Sequence, residues 1–367
     1  MAGRVAGISA ADGKTTVGNK HRVRFEPVGI EIEADEDETI LDAAFRQGLM
    51  LMHGCKEGQC SACKSFLLEG EEGIDVELDR YSTFALPDFE KDEGYVLLCR
   101  AHTYDDLTIE LINFDEDMLR TGVPIQHATA EVEVIESVTH DLRRLVLKLV
   151  EPPELAFVPG QYVDLYLPGT AGLKRSFSMA STPATDDRLE FVIKVYPDGA
   201  FSHLLDKGLR TADRLELKGP YGLFTLREGR TSDLVMVGGG AGMAPILSLL
   251  RSMGERGMTR RAVYYYGARR IEDLCFLDEL RSFDQRLPGF RFVPALSEPA
   301  PETWDGETGL ITDVVDRLEG SLAGSDAYVC GPPPMVEAAM VVLERHGVAT
   351  SDIHYDKFTT TGAAADG

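Results

Sequence analysis

The chain reads as three modules in series: a small α+β module in front, an antiparallel β-barrel in the middle, and an α/β doubly wound parallel sheet behind. Three observations carry this reading. A length of 367 residues corresponds to two or three domains of ordinary size. Between Thr129 and Lys218, strand-like segments recur with Gly and Pro turns between them, the pattern of a closed antiparallel barrel. From Ser232 onward, strands alternate with helices, and that alternation builds a parallel sheet.

Residues 1–19 are small and polar and are expected to form a flexible leader. From His21 the apolar residues alternate (Val23, Phe25, then Ile30, Ile32), predicting a hairpin that turns near Pro27 and Gly29. Thr39 to Gly48 predicts a short helix with Ile40, Leu41, Ala44 and Phe45 on one face and Gly48 at its end. Short strands follow as far as Ile112. Residues 114–128 lack periodicity and contain Gly122-Val-Pro124, the signature of a linker. The barrel strands are expected at 130–138, 142–149, 162–167, 189–195 and 214–218. In the last module, strands are expected at 234–237, 262–266 and 327–330. Helices are expected through about Met253, over 272–283 and over 333–346.

Composition narrows the function classes. The net charge of −24 argues against nucleic acid, which requires a surplus of Lys and Arg. Residues 1–113 hold 23 acidic against 11 basic side chains, a net of −12, which makes that module a candidate docking face for a protein partner. No apolar signal-peptide core is evident near the start. The uncharged run from Leu234 to Leu250 is only 17 residues with four glycines and a proline, so no membrane span is expected. Gly13-Lys-Thr15 is not a P-loop, because its first glycine position holds Ile8. The expected location is the cytoplasm.

Four of the six cysteines have a diagnostic arrangement. Cys55, Cys60 and Cys63 are spaced C-x4-C-x2-C, and Cys99 stands alone in Leu97-Leu-Cys-Arg100. This is the spacing of plant-type [2Fe–2S] sites, in which four thiolates hold two irons. Such a cluster is anionic, so the loop has to turn backbone N–H groups toward it, and Gly54 and Gly58 permit that approach. Zinc is the competing reading, although zinc pairs usually come as two similar short spacings. Cys275 and Cys330 remain, too few for a disulfide framework.

Further motifs fall at strand ends. Arg175-Ser-Phe-Ser178 closes a β segment of the barrel, where a forked guanidinium suits a pyrophosphate and a small hydroxyl can approach a flavin edge. Gly199-Ala-Phe-Ser202 opens a helix whose backbone N–H groups, with the Ser202 hydroxyl, suit the same anion. A plain serine cap is the alternative. Val237-Gly-Gly-Gly-Ala-Gly-Met-Ala-Pro245 links strand to helix as a dinucleotide phosphate turn, though it is not G-x-G-x-x-G. Tyr266-Gly-Ala-Arg269 and Cys330-Gly-Pro-Pro-Pro-Met335 end neighbouring strands and should share one crevice.

In that order, these motifs over about residues 20–358 resemble the NADH-dependent reductase components of bacterial oxygenases. Among those, the chain is most similar to the reductases of soluble di-iron monooxygenases of the methane, propane and alkene type. Its barrel and sheet resemble the ferredoxin–NADP⁺ reductase superfamily. The resemblance implies a β-grasp ferredoxin-type domain at 20–113, a linker at 114–128, a FAD-binding barrel at 129–228, a NAD-binding domain at 229–358 and a disordered tail at 359–367. It implies Cys55, Cys60, Cys63 and Cys99 as cluster ligands. Arg175 would lie on the FAD pyrophosphate, with Gly199 and Ser202 as its second contact. Phe177 would pack along the flavin, where the family usually has Tyr, and Ser178 would stand near the reactive flavin nitrogen. Gly238, Gly239, Gly240 and Gly242 match the pyridine-nucleotide turn, with Arg269 near the adenosine ribose. Cys330, followed by Gly331 and Pro332, would lie beside the nicotinamide; Ser178 and Cys330 are the catalytic candidates. Phe358 would cover the flavin face, with Tyr355 as a rival. Arg269 and Arg270 are followed by Glu272 and Asp273, whose carboxylates favour NADH over NADPH. The implied partner is a hydroxylase component met transiently. Two alternatives remain at this point: the reductase of a Rieske-type dioxygenase, and a non-catalytic iron–sulfur or zinc-stabilised interaction protein.

Overall fold

The computed structural model describes residues 19–69, 76–114, 119, 122–170, 172–185, 187–197, 199–227, 229–299 and 301–358. The expected leader up to residue 18, linker positions 115–118, 120 and 121, and the 359–367 tail lie outside the described residues. The chain forms two compact units, Met1–Gln47 with Cys55–Phe114, and Gly48–Gly54 with Asp115–Gly367.

The first unit begins with the expected hairpin, β1 (Lys20–Glu26) and β2 (Ile30–Asp35), with Val23 opposite Ile32 and Phe25 opposite Ile30. Val23, Phe25 and Ile32 are buried while their neighbours face outward. Helix α1 (Ile40–Arg46) starts where the Thr39 hydroxyl accepts the Asp42 N–H at 3.2 Å, and it buries Ile40, Leu41, Ala44 and Phe45. There follow β3 (Lys64–Glu69), β4 (Val76–Leu78), α2 (Asp88–Asp92), β5 (Tyr95–Leu97), β6 (Ala101–Thr103) and β7 (Leu107–Glu110). The main sheet runs β2-β1-β7-β3-β5, with β1 and β7 parallel, while β4 and β6 pair separately. One helix across such a mixed sheet is the β-grasp arrangement.

The second unit holds a barrel of β8 (Gln126–Ser137), β9 (Leu142–Glu151), β10 (Tyr162–Tyr166), β11 (Lys174–Ser178), β12 (Arg188–Lys194) and β13 (Arg214–Tyr221). Its order is β11-β10-β13-β8-β9-β12, and a bridge between Met179 and Phe191 brings the two ends together. The sheet is thereby nearly closed around Leu145, Leu147, Val163, Leu165, Phe191 and Leu217. β8 begins inside the expected linker, because Gln126, His127 and Ala128 pair with Gly219, Lys218 and Leu217. A short helix, α3 (Ala200–His203), widens into a π-helical turn over Leu204–Gly208, where the Leu209 N–H donates to Leu204 O.

The same unit continues with β14 (Leu234–Gly239), α4 (Met243–Glu255), β15 (Ala262–Ala268), α5 (Leu277–Arg286), β16 (Phe290–Leu296), β17 (Glu307–Thr308), α6 (Ile311–Leu318), β18 (Asp326–Gly331), α7 (Pro333–Arg345) and β19 (Ile353–Lys357). All six strands are parallel, in the order β17-β16-β15-β14-β18-β19. One face packs Leu247, Leu250, Tyr264 and Phe283; the other packs Val237, Tyr265, Val314 and Leu343. A sheet covered on both faces is the doubly wound architecture. The strand order reverses between β14 and β18, so their carboxyl ends form the switch point at which such sheets bind ligands.

The helix expected over 272–283 starts later. Asp273 accepts the Arg270 N–H at 3.0 Å and closes a local turn, and Phe276 is left-handed at φ 56°, so α5 begins only at Leu277. The uncharged run from Leu234 resolves into β14, a turn and part of α4, and among the described residues no helix is long and apolar enough to cross a membrane.

Candidate functional site

In the first unit, the loop from Cys55 to Cys63 turns its backbone donors inward. Glu57 and Gln59 N–H groups donate to Cys55 Sγ at 3.4 and 3.2 Å, and Cys55 N–H donates to Cys60 Sγ at 3.3 Å. The loop is wound through left-handed residues at Lys56, Gly58 and Ser61. At Gly58 a Cβ would stand 2.8 Å from Cβ of Tyr81, so only glycine fits. Cys99 is brought in from a distance: the Leu98 N–H donates to Cys63 O at 3.2 Å, and the Leu41 N–H of α1 donates to Leu98 O at 3.0 Å.

The four thiols form two proton-sharing pairs. Hydrogen bonding from Cys60 draws Cys55 down to about 5 while Cys60 is pushed up; Cys99 stands in the same relation to Cys63. Among the described residues, no three His, Cys, Asp or Glu side chains converge as a single-ion cage requires. Two thiol pairs ringed by N–H donors suit two irons and fit a [2Fe–2S] cluster better than zinc.

In the second unit, β11 carries Arg175, Phe177 and Ser178. Arg175 donates to the Lys174 carbonyl at 2.8 Å and has no carboxylate partner among the described residues, which leaves its charge available to an anion. Its neighbour Lys174, by contrast, is committed to Asp164 at 2.8 Å. The rings of Phe177 and Phe201 stand 4.6 Å apart. Ser202 Oγ accepts the Tyr196 N–H at 2.8 Å and would meet a Gly199 Cβ at 2.6 Å, so these two residues shape the loop that opens α3.

The glycine turn follows β14, with Gly238 in register with both Tyr266 and Cys330. Gly239 lies against Gly267 O and Gly242 against Cys330 O, whereas a Cβ on Gly240 would meet nothing within 4 Å. Gly240 is left-handed at φ 56°. An open, backbone-lined position at the switch point is a cradle of the kind a phosphate occupies. Cys330 is fully buried, and burial holds its thiol protonated. Gly331 has a positive φ of 152° that a side chain would strain, and Pro332 caps α7. Phe358 N–H donates to Gly331 O at 3.0 Å and its ring packs on the sheet core, while Tyr355 is 51% exposed under Lys357. Phe358 is thus held against the sheet, whereas Tyr355 faces solvent. Arg269 is exposed at the end of β15. Asp273 is turned in as a cap and also lies 3.3 Å from His140, so it offers less to a ribose than Glu272 does.

Two residues were not singled out from the sequence. Asp356 is in register with Cys330, and its Oδ2 accepts a long, 3.5 Å bond from the Ser178 hydroxyl. Burial pushes this carboxyl up to about 6 against the opposing pull of Ser178. Arg251 of α4 donates to Ala180 O and to Glu190 at 3.0 Å each and forks onto Glu279 at 2.7 and 2.9 Å. With Ser248 donating to Ser181 O and Thr182 donating to Glu255, it fastens the helix behind the glycine turn to the continuation of β11. Asp356 lies in the Ile353–Phe358 segment, where attention went to the aromatics, and the signal for Arg251 was a lone charge on an otherwise apolar helix.

A front unit with paired cysteines, a nearly closed barrel and a doubly wound sheet with a glycine turn at its switch point define an iron–sulfur flavoprotein oxidoreductase. Comparison with known proteins agrees module by module. A 2Fe-2S iron-sulfur cluster binding domain matches residues 23–103, an oxidoreductase FAD-binding domain 129–226, and an oxidoreductase NAD-binding domain 236–340. The reductase component of propane 2-monooxygenase from Mycolicibacterium goodii is 52% identical over 346 residues, covering 93% of this chain and 98% of that one. The reductase component of phenol 2-monooxygenase from Pseudomonas sp. (strain CF600) is 37% identical over 350 residues, covering 95% and 96%. A cytochrome P450 reductase of Amycolatopsis has a solved structure with a TM-score of 0.82 at 33% identity, covering 93% of this chain and 99% of that one. The chain belongs to the family of reductase components of multicomponent di-iron monooxygenases. It is a NAD(H)- and FAD-dependent oxidoreductase with a [2Fe–2S] domain, not a zinc-stabilised interaction protein.

Proposed function

We propose that this reductase draws on NADH, uses the residues above as its cofactor sites, and delivers electrons to a di-iron hydroxylase that it meets transiently, with propane the first substrate to test on that partner. Bound FAD supplies the conversion of a hydride pair into single electrons for the cluster. Supporting the reading most directly is the 3.5 Å contact between Ser178 and Asp356. It joins the end of β11 to the strand in register with Cys330, so the flavin-side and nucleotide-side residues face one another.

Each residue has a physical task. Arg175 neutralises pyrophosphate charge with a guanidinium that no carboxylate among the described residues claims. The turn from Gly238 to Gly242 presents backbone to the nucleotide phosphates. Ser178 is oriented by Asp356, and the protonated Cys330 thiol packs without bringing charge to the junction. Phe358, tied to Gly331, excludes water. Cys55 pairs with Cys60 and Cys63 with Cys99, one pair for each iron. Arg270 is engaged by Glu298 at 2.5 Å and Glu272 at 3.8 Å, which leaves little for a 2′-phosphate and favours NADH. The domain limits of 20–113, 129–228 and 229–358 belong to this reading.

The test is a set of three variants. Cys330→Ala and Ser178→Ala should slow flavin bleaching by NADH with the cluster spectrum intact. Cys60→Ala should abolish the cluster spectrum and hydroxylase reduction while NADH-driven ferricyanide reduction persists. Loss of the cluster in the first two variants, or hydroxylase reduction surviving in the third, overturns the assignment.

A further inference from the structure

Among the described large apolar residues, Phe84 is the most exposed, at 86%, and Phe89 on the same segment is 63% exposed. An aromatic in water is unremarkable on a loose loop, but this one is rigidly mounted. The Phe84 N–H donates to Ser82 Oγ at 3.2 Å, and the Ala85 and Leu86 N–H groups both donate to Ser82 O. Ala85 and Leu86 are fully buried and pin the turn from below. The Ser82 N–H donates to Gly58 O at 2.9 Å, and Tyr81 packs where a Gly58 side chain would be. Phe84 is thus braced against the loop between Cys55 and Cys60, where Cys60 itself is exposed.

The charge around it selects the occupant. Asp79, Asp88, Asp92, Glu93 and Glu57 are exposed on the same segment and on the cysteine loop, against exposed Arg80 and Lys91. A second copy of a chain with net charge −24 would set acidic surface on acidic surface, and nucleic acid is repelled in the same way. A protein with an apolar pocket and a basic rim is complementary. Small transient interfaces concentrate their energy in one or two aromatic anchors, with charge serving the encounter rate.

We propose that Phe84 is the apolar anchor by which the first unit docks its di-iron hydroxylase, with Asp88, Asp92 and Glu93 as the steering rim. This rests on the function proposed above and names the side chain on which the electron-delivery contact is built.

The experiment uses the full chain carrying FAD and cluster, with the hydroxylase of a propane 2-monooxygenase as probe. Phe84→Ser should leave NADH–ferricyanide turnover and the electron paramagnetic resonance signal of the cluster unchanged. It should raise the KM for hydroxylase roughly 10- to 30-fold with a smaller effect on kcat. Phe84→Leu should recover most of that loss, and joint neutralisation of Asp88, Asp92 and Glu93 should flatten the salt dependence of association. Phe84→Ser binding hydroxylase like the wild type overturns the anchor alone. A wild type that reduces its own cluster yet never binds hydroxylase overturns the partner and the anchor together. A slowed NADH-to-cluster step in Phe84→Ser, or a change in sedimentation, reassigns the aromatic to the chain itself or to a second copy and overturns the proposal.

Discussion

Replacing Gly240 by alanine adds one methyl group where nothing else lies within 4 Å, at a left-handed φ of 56°. The conformational cost is about 1–2 kcal/mol, a fall in Tm of roughly 2–8 °C for a unit of this size. The fold should therefore survive. The methyl points into the proposed phosphate cradle and displaces at least one charge-assisted contact of about 1.5–3 kcal/mol, weakening NADH binding roughly 10- to 150-fold. Gly242→Ala behaves differently. Its Cβ would stand 2.2 Å from Cys330 O and 2.8 Å from Gly331 Cα, both backbone atoms. Relief requires the β14–β18 ladder to part, at about 3 kcal/mol or more. Thermal unfolding and anaerobic mixing with NADH at graded concentrations, following the flavin absorbance, distinguish the two. Gly240→Ala should fail at low NADH and recover at high; Gly242→Ala should lose stability first. NADH binding unchanged in a folded Gly240→Ala protein would refute the cradle.

Other outcomes follow from single contacts. Asp356, raised to about 6, holds its proton in the folded state after the unfolded chain has released it, so between pH 3.8 and about 6 stability falls as pH rises. Denaturant titrations of flavin-free protein should show that decline in the wild type and not in Asp356→Asn; parallel curves would refute it. Arg251→Met strands Glu279 and leaves Glu190 with Arg144 alone, and should cost about 3 kcal/mol, the low end for a broken buried pair. Unchanged urea unfolding would show that the network contributes nothing. Glu298→Gln with Glu272→Gln frees Arg270 and should raise kcat/KM for NADPH relative to NADH about tenfold; no change would place Arg270 away from the 2′ position.

Legibility in the sequence followed the distance over which the physics acts. The hairpin at Pro27, α1 with its Thr39 cap, and the strands of the barrel were readable because turn chemistry and side-chain periodicity are decided within about ten residues. The same local rules explain the failures. Asp273 and the left-handed Phe276 delay α5, and Pro294 disguises β16, which tolerates it because β17 pairs only with Ala295 and Leu296. That Arg175 to Ser178, Gly238 to Gly242 and Cys330 to Pro332 fall at strand ends was legible for a related reason. Strand-end chemistry needs glycine, hydroxyl or cation at fixed offsets from the strand that presents them.

The chain alone thus determined its modules, the spacing of the four cysteines proposed to hold the cluster, and the backbone turns suited to anions. Pairing across the chain was decided elsewhere. Asp356 meets Ser178 from 178 residues away, Arg251 reaches Ala180, and Leu98 delivers Cys99 to Cys63. Likewise, the exposure of Phe84 is meaningful only because Ser82 is bonded to Gly58. A contact between distant residues depends on register and strand order, which the packing of whole faces selects, and no local pattern records that choice.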